Sequence, residues 1–273
     1  MNRPRWFAAA IVLIAALSYV SYRLYVHERM VQPAIVTPHM DAQQAISPSL
    51  PGHLKRLINE HITYGNRSNR PKLIALTFDD GPYPIFTPLL LEQLRRLHVH
   101  ATFFLIGRDA EQWPQLAQRI EEAGDEIADH TYTHPNLDQE TPEQVREEIL
   151  RGRDVLYALV HDPSVLSEFR PPHGRYTVAT VQVAQRLGYH TILWTDDSGD
   201  WRTVTPAALQ AHLEHYATAP EIVLLHSGRL STIEMLPQVV AKFEAAGYEF
   251  VTVRQLLAKT TAAELNHPAK HPV

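Results

Sequence analysis

From Lys72 onward, short apolar runs alternate with amphipathic segments, and this predicts an α/β fold. The expected architecture is a distorted or incomplete (β/α) barrel with an N-terminal membrane anchor. Three observations carry it. Runs such as Leu73-Ile74-Ala75-Leu76 and Ile222-Val223-Leu224-Leu225 are continuously apolar rather than alternating, the mark of parallel strands buried on both faces. Each is followed by a segment of helical periodicity, as right-handed βα crossovers require. About seven such units fill about 190 residues, too few for a closed eight-unit barrel.

The elements follow in order. A strand at 73–78 precedes a helix whose apolar face runs through Phe86, Leu90, Leu94 and Leu97. A strand at 101–106 leads to a helix at 114–123 that Gly124 ends, and 126–128 is a strand running into a histidine pair. Thr141 caps the next helix, Pro142 takes its first position, Gln144 completes a capping box, and Val145, Ile149, Leu156 and Leu159 form its apolar face. A short strand at 169–170, a helix at 178–187 stopped by Gly188 and a strand at 190–194 come next. Thr205-Pro206 starts a helix through Leu209 and Leu213, and 222–225 is a strand ending on His226. A helix at 233–246 stopped by Gly247 and a strand at 250–253 complete the domain, leaving a loose polar tail, 259–273. No internal repeat is visible.

The N-terminus reads differently. Arg3 and Arg5 precede an uncharged, mostly apolar run at 6–22, which Arg23 closes. It is slightly short for a span of about 20 residues, but aromatic flanks and snorkelling arginines extend it. Ala16-Leu17-Ser18 offers a cleavage site for a signal peptide; Tyr19, Val20 and Tyr22 carry the apolar run past it and favour an uncleaved signal-anchor, 1–23. In both cases the basic residues stay inside and the remainder is exported. Residues 24–71 read as a linker: periodicity is lost, five prolines lie between 31 and 71, and only His53-Leu54-Lys55-Arg56-Leu57-Ile58 resembles the start of a short helix.

Composition excludes several functions. A formal charge of −5, with no basic stripe interleaved with aromatics, gives no nucleic-acid partner. The chain has no cysteine, so disulfides, thiolate metal sites and cysteine nucleophiles are absent together. Any metal must be held by histidine and carboxylate.

Two motifs supply those groups. Thr77-Phe78-Asp79-Asp80-Gly81-Pro82 sets two adjacent carboxylates at a strand end, and His130-Thr131-Tyr132-Thr133-His134 sets two imidazoles four residues apart. Alone, the first is a good turn sequence. The second arises easily by chance in a chain with 16 histidines. Together, one carboxylate and two imidazoles make an open coordination set for a catalytic divalent metal, and the remaining carboxylate is a ready general base. The pair reads as a metal-dependent hydrolase.

Three further segments lie at predicted strand ends: Arg170-Pro171-Pro172-His173-Gly174, Asp197-Ser198-Gly199-Asp200-Trp201, and Leu224-Leu225-His226. Singly, Arg170 reads as a structural ion pair and Trp201 as packing. The five segments, in this order, closely resemble the polysaccharide deacetylase family, the NodB-homology domain of carbohydrate esterase family 4. The resemblance covers about residues 72–257, within a domain bounded at 72–258. It implies that Asp80, His130 and His134 hold a divalent metal, most often zinc, with cobalt or another ion as alternatives. It implies that Asp79 is the general base and His226 the general acid, that Arg170 orients Asp79, and that Asp200 supports His226 with Trp201 packed beside it. The backbone N–H at His173 would donate to the oxyanion. In the family this position commonly carries tyrosine, or in some cell-wall subgroups a different residue, so the histidine bears on substrate selection.

The implied activity is removal of N-acetyl groups from an N-acetylated glycan: peptidoglycan first, with poly-N-acetylglucosamine or chitin-like chains behind it. The anchor keeps open a deacetylase or deformylase of a lipid-linked amino sugar. A silent carbohydrate-binding module on the same scaffold is disfavoured, because both Asp79 and His226 are present. A cytoplasmic ring amidase is disfavoured by the export segment. The sequence does not fix the sugar, the acyl group or the oligomeric state.

Overall fold

The structure, a computed structural model, describes residues 62–63, 72–163, 166–202, 204–216 and 221–266. The apolar run at 6–22, the helix start at 53–58 and residues 267–273 lie outside the described residues. No helix among the described residues is long and apolar enough to cross a membrane.

The strands are β1 (Ile62–Thr63), β2 (Leu73–Gly81), β3 (Thr102–Leu105), β4 (Glu126–Asp129), β5 (Glu168–Phe169), β6 (His190–Ile192), β7 (Asp196–Asp197), β8 (Glu221–His226) and β9 (Glu249–Phe250). They form one sheet in the order β1-β6-β5-β4-β3-β2-β8-β7, and β9 pairs with the start of β2. All of the pairings are parallel. Helices α1 (Phe86–Leu97), α2 (Gly107–Gln112), α3 (Pro114–Glu122), α4 (Pro142–Leu159), α5 (Val178–Arg186), α6 (Pro206–Tyr216), α7 (Leu230–Ala245) and α8 (Val253–Asn266) connect and follow the strands. A parallel sheet with helical crossovers agrees with the predicted distorted barrel, open between β1 and β7.

Side-chain parity separates two cores. Along β2, Ile74, Leu76 and Phe78 join the large cluster with Leu90 and Leu94 of α1 and Leu236 and Val240 of α7. The alternate residues Leu73 and Ala75 join Phe104, Ala128, Ile192 and Ile222 in a second cluster on the other, concave face of the sheet. Val253 and Leu256 of α8 belong to this interior cluster, so the last helix closes one end of it. Successive strand residues point to opposite faces, which makes the interior a property of odd positions on β2 and even positions on β3, β4, β6 and β8.

Several boundaries differ from the sequence reading. The segment read as linker contributes β1, which pairs with β6 and forms the edge of the sheet. Asp196 and Asp197, which lie past the strand predicted at 190–194, form β7 against β8. The last strand ends at Phe250, and the segment from Val253 is helical to Asn266, past Lys259 where a loose tail is predicted. The capping box at Thr141 and Gln144 forms as expected.

Candidate active site

The site residues continue the interior parity of their strands. Asp79 follows Leu73, Ala75 and Thr77 on β2; His226 follows Ile222 on β8 and sits in register with Asp79. His130 stands two residues past the interior Ala128, and Arg170 alternates with Phe169, which packs in an outer cluster. All four lie at the carboxyl ends of parallel strands, where such sheets place their sites.

Asp80 breaks the parity. A residue next to Asp79 should point to the opposite face, away from it. The β2–β3 register shifts between Asp79 and Gly81, and Asp80 takes φ 70° in the left-handed region. This bulge turns the second carboxylate into the same site. Oδ1 of Asp80 lies 3.1 Å from Nε2 of His134 and 3.6 Å from Nε2 of His130. The two Nε2 atoms are 3.2 Å apart.

Asp80, His130 and His134 bring one ligand atom each to within 4.8 Å of one another, and they fit a metal ion. Ligand bonds of about 2.0–2.1 Å to one ion put neighbouring donors roughly 3.0–3.4 Å apart, close to the separations seen. The tautomer of His130 is also right: Nδ1 lies 2.8 Å from the Arg170 carbonyl oxygen, so it donates there and leaves the Nε2 lone pair facing the site. Burial lowers the His130 imidazole well below its ordinary value, with the His134 charge adding to this, and keeps it neutral as a ligand must be. Burial would raise the Asp80 carboxyl, but the charge and hydrogen bond of His134, with the charges of His226 and His130, hold it well below the usual carboxylate range.

Asp79 is buried, and Nη1 of Arg170 donates to its Oδ1 at 2.7 Å. The guanidinium is fully enclosed. It donates also to Thr77 Oγ1 at 2.8 Å and to the Ile192 and Leu193 carbonyls, and stacks 3.9 Å from the centre of the Phe104 ring. Burial pushes the Asp79 carboxyl up; the Arg170 and His226 charges oppose the rise, and the Asp80 charge adds to it.

His226 is held by a buried carboxylate. Asp200 Oδ1 lies 2.7 Å from its Nδ1, and Asp200 Oδ2 accepts its backbone N–H at 2.8 Å and Thr232 Oγ1 at 2.6 Å. Burial would lower the His226 imidazole, but the hydrogen bond and charge of Asp200, then the charges of Asp80 and Asp79, outweigh it and raise it to about 9. The raised value favours the charged ring at neutral pH.

His173 follows Arg170 in a short 3₁₀ turn at φ 59°, and its ring stands edge-on to that of His134, centroids 4.5 Å apart. Gly174 and Arg175 make the hydrogen bonds of the turn, and the His173 N–H takes no part in them. Trp201 follows Asp200 in the chain. Its indole is exposed, donates to Asp197 Oδ1 at 3.3 Å and lies beneath the Arg202 guanidinium; no hydrogen bond or ring contact joins it to His226.

Two supporting residues escape the sequence reading. Thr77 bridges Arg170 and the Val223 carbonyl. It sits two positions before Asp79, so strand periodicity was the signal that could have found it. Thr232 lies on α7 and reaches Asp200 across 32 residues of chain, which no local pattern encodes.

A parallel-strand domain gathers histidine and carboxylate donors that could hold a metal ion at its carboxyl-end rim. The chain belongs to the polysaccharide deacetylase family, whose model matches residues 66–192. A peptidoglycan-N-acetylglucosamine deacetylase of Bacillus cereus is 36% identical over 194 residues, covering 69% of this chain and 90% of the relative. The peptidoglycan-N-acetylmuramic acid deacetylase PdaA of Bacillus subtilis is 28% identical, covering 77% of this chain and 81% of its own length. Among solved structures, the Bc1960 peptidoglycan N-acetylglucosamine deacetylase aligns with a TM-score of 0.69 at 29% identity, covering 72% of this chain and 92% of that one. A family 4 protein of Bacillus anthracis described as a pseudoenzyme aligns with a TM-score of 0.68 at 29% identity, covering 72% of this chain and 68% of that one. The same fold therefore carries members named as deacetylases and one named as a pseudoenzyme, and activity has to be argued from the groups present.

Proposed function

We propose that this protein is an exported, membrane-anchored, metal-dependent N-deacetylase acting on N-acetylhexosamine units of peptidoglycan. The observation that carries the reading is the bulge at Asp80, which sets Asp79 and Asp80 in one site with His130 and His134. A bulge with a left-handed aspartate costs stability and persists where a site needs it.

A bound divalent ion would acidify a water molecule and polarise the amide carbonyl. A set of two imidazoles and one carboxylate suits zinc. The chain supplies the rest. Asp79, fixed by Arg170, accepts the proton that water loses as its oxygen attacks the acetamide carbon. The His173 N–H donates to the carbonyl oxygen as negative charge develops there. His226, kept charged by Asp200, gives a proton to the nitrogen as the C–N bond breaks. Acetate and a free amine on the sugar result.

Peptidoglycan is favoured because relatives named for it align over most of the domain. It lies outside the cytoplasmic membrane, in keeping with the arginines and apolar run at the N-terminus. The intact Asp79 and His226 support an active enzyme over a silent module. The test is mass analysis of acid released from a panel of peptidoglycan, chitooligosaccharides, poly-N-acetylglucosamine and lipid-linked amino sugars. Acetate from peptidoglycan is the expected result, whereas release from the lipid-linked sugars alone would replace the substrate.

A further inference from the structure

We propose that Glu148, on α4, is a positioning residue for the loop that carries His130 and His134. The inference rests on the reading that these histidines bind a metal. The five successive backbone N–H groups of that loop all have acceptors. His130 donates to the Leu105 carbonyl, Thr131 to Asp129 Oδ1, and His134 to Thr131 Oγ1. The two between the ligands go to Glu148: Tyr132 N–H to its carbonyl oxygen at 3.1 Å, and Thr133 N–H to its Oε2 at 2.7 Å. Its Oε1 also accepts the Thr133 hydroxyl at 2.8 Å.

The need for this support comes from His134. A metal-ligating histidine is ordinarily oriented by a partner on its other ring nitrogen. His130 has one in the Arg170 carbonyl; for His134 no hydrogen bond to Nδ1 exists among the described residues. Its ring is therefore placed by the main chain and by the edge-on contact with His173, and that main chain is strained: Thr131 and His134 take φ 67° and 65°. Such angles persist only where the surroundings over-determine them.

Gly152, one turn beyond Glu148 on the same helix face, makes the approach possible. A Cβ there would stand 2.7 Å from Asp129 Oδ1 and 3.0 Å from the Thr131 carbonyl carbon. Gly107, whose N–H donates to the Thr131 carbonyl, is similarly tight, since a Cβ on it would meet the Gly152 Cα at 2.8 Å. The loop is thus pressed between α2 and α4.

The test is titration of the full chain, stripped of metal, with zinc alone and cobalt alone, reading affinity and the cobalt absorption spectrum. Glu148→Gln removes the charge but keeps an oxygen acceptor; Glu148→Asp keeps the charge but is one methylene too short. Positioning predicts that the glutamine variant stays near wild type in both readouts. The aspartate variant should lose about 10–100-fold in affinity and show an altered spectrum. Gly152→Ala should behave like the aspartate variant, and Glu147→Ala, one residue away on the exposed face, like wild type. The reverse order for the first two would mean that Glu148 acts by charge alone, and wild-type affinity in both would remove its role; either overturns the inference. Failure of the wild type to take up either ion would instead end the metal reading itself.

Discussion

Asp79 must be ionised to take a proton from water, and His226 must be charged to give one to the departing nitrogen. With His226 raised to about 9, kcat/KM should fall as pH rises through that region, because the ring then loses the proton it has to donate. Asp200→Asn removes the carboxylate that favours the charged ring, so the alkaline limb should move to lower pH; an unmoved limb would assign it to another group. Asp79→Asn keeps the shape but removes the basic oxygen, and turnover should drop on the order of 10²–10⁴-fold with metal retained. Retained turnover in that variant would take the base role from Asp79. At this scale the sequence was informative, because Asp79, His130, Arg170 and His226 simply extend the interior parity of their strands. The bulge at Asp80 was not read from the sequence, because strand periodicity alone sends adjacent side chains to opposite faces.

Elements were legible where local chemistry decides them. The capping box of α4 is written in Thr141-Pro142-Glu143-Gln144, and both of its hydrogen bonds form. Thr141→Ala should cost about 0.5–2 kcal/mol of stability, measured by denaturant unfolding, and leave metal affinity unchanged. A large loss of metal affinity would mean that the helix end, rather than Glu148, sets the histidine loop. Where partners far along the chain decide, the pattern failed. Asp196 and Asp197 have poor strand propensity and become β7 only by pairing with β8. Ile62 and Thr63 sit in a proline-rich stretch and become β1 only against β6.

For the whole molecule, the end of the sheet opposite the site carries its own charge problem. Glu126 and Glu168, both buried, begin β4 and β5, and Arg254 of α8 donates to each, at 3.2 and 3.3 Å. Burial, then the charge and hydrogen bond of Glu168, raise the Glu126 carboxyl to about 7 against the pull of Arg254. The folded state therefore holds a proton that the unfolded chain, with an ordinary glutamate near 4.5, has released. Stability from this group is present at low pH and is lost as pH rises toward 7. Arg254→Met removes the opposing charge, so the loss of Tm between pH 5 and pH 8 should be larger than in wild type; an equal or smaller loss would show that the helix does not clamp the pair. The boundary at 72 would also remove β1. A chain beginning at 60 should unfold at higher denaturant than one beginning at 72, and equal midpoints would mean that β1 adds nothing. The fold class was readable from βα alternation, but which ends meet, and through α8 and β1, is set by long-range pairing.

The central claim is that Asp80, His130 and His134 hold an ion with which Asp79 hydrolyses an acetamide. The most direct measurement is acetate released from N-acetylated peptidoglycan by the purified chain before metal removal, after it, and after zinc is restored, with Asp79→Asn run alongside. The account predicts release that disappears with the metal, returns with zinc, and is nearly absent in the variant at full metal content. Undiminished release from metal-free protein, or from metal-loaded Asp79→Asn, would contradict it.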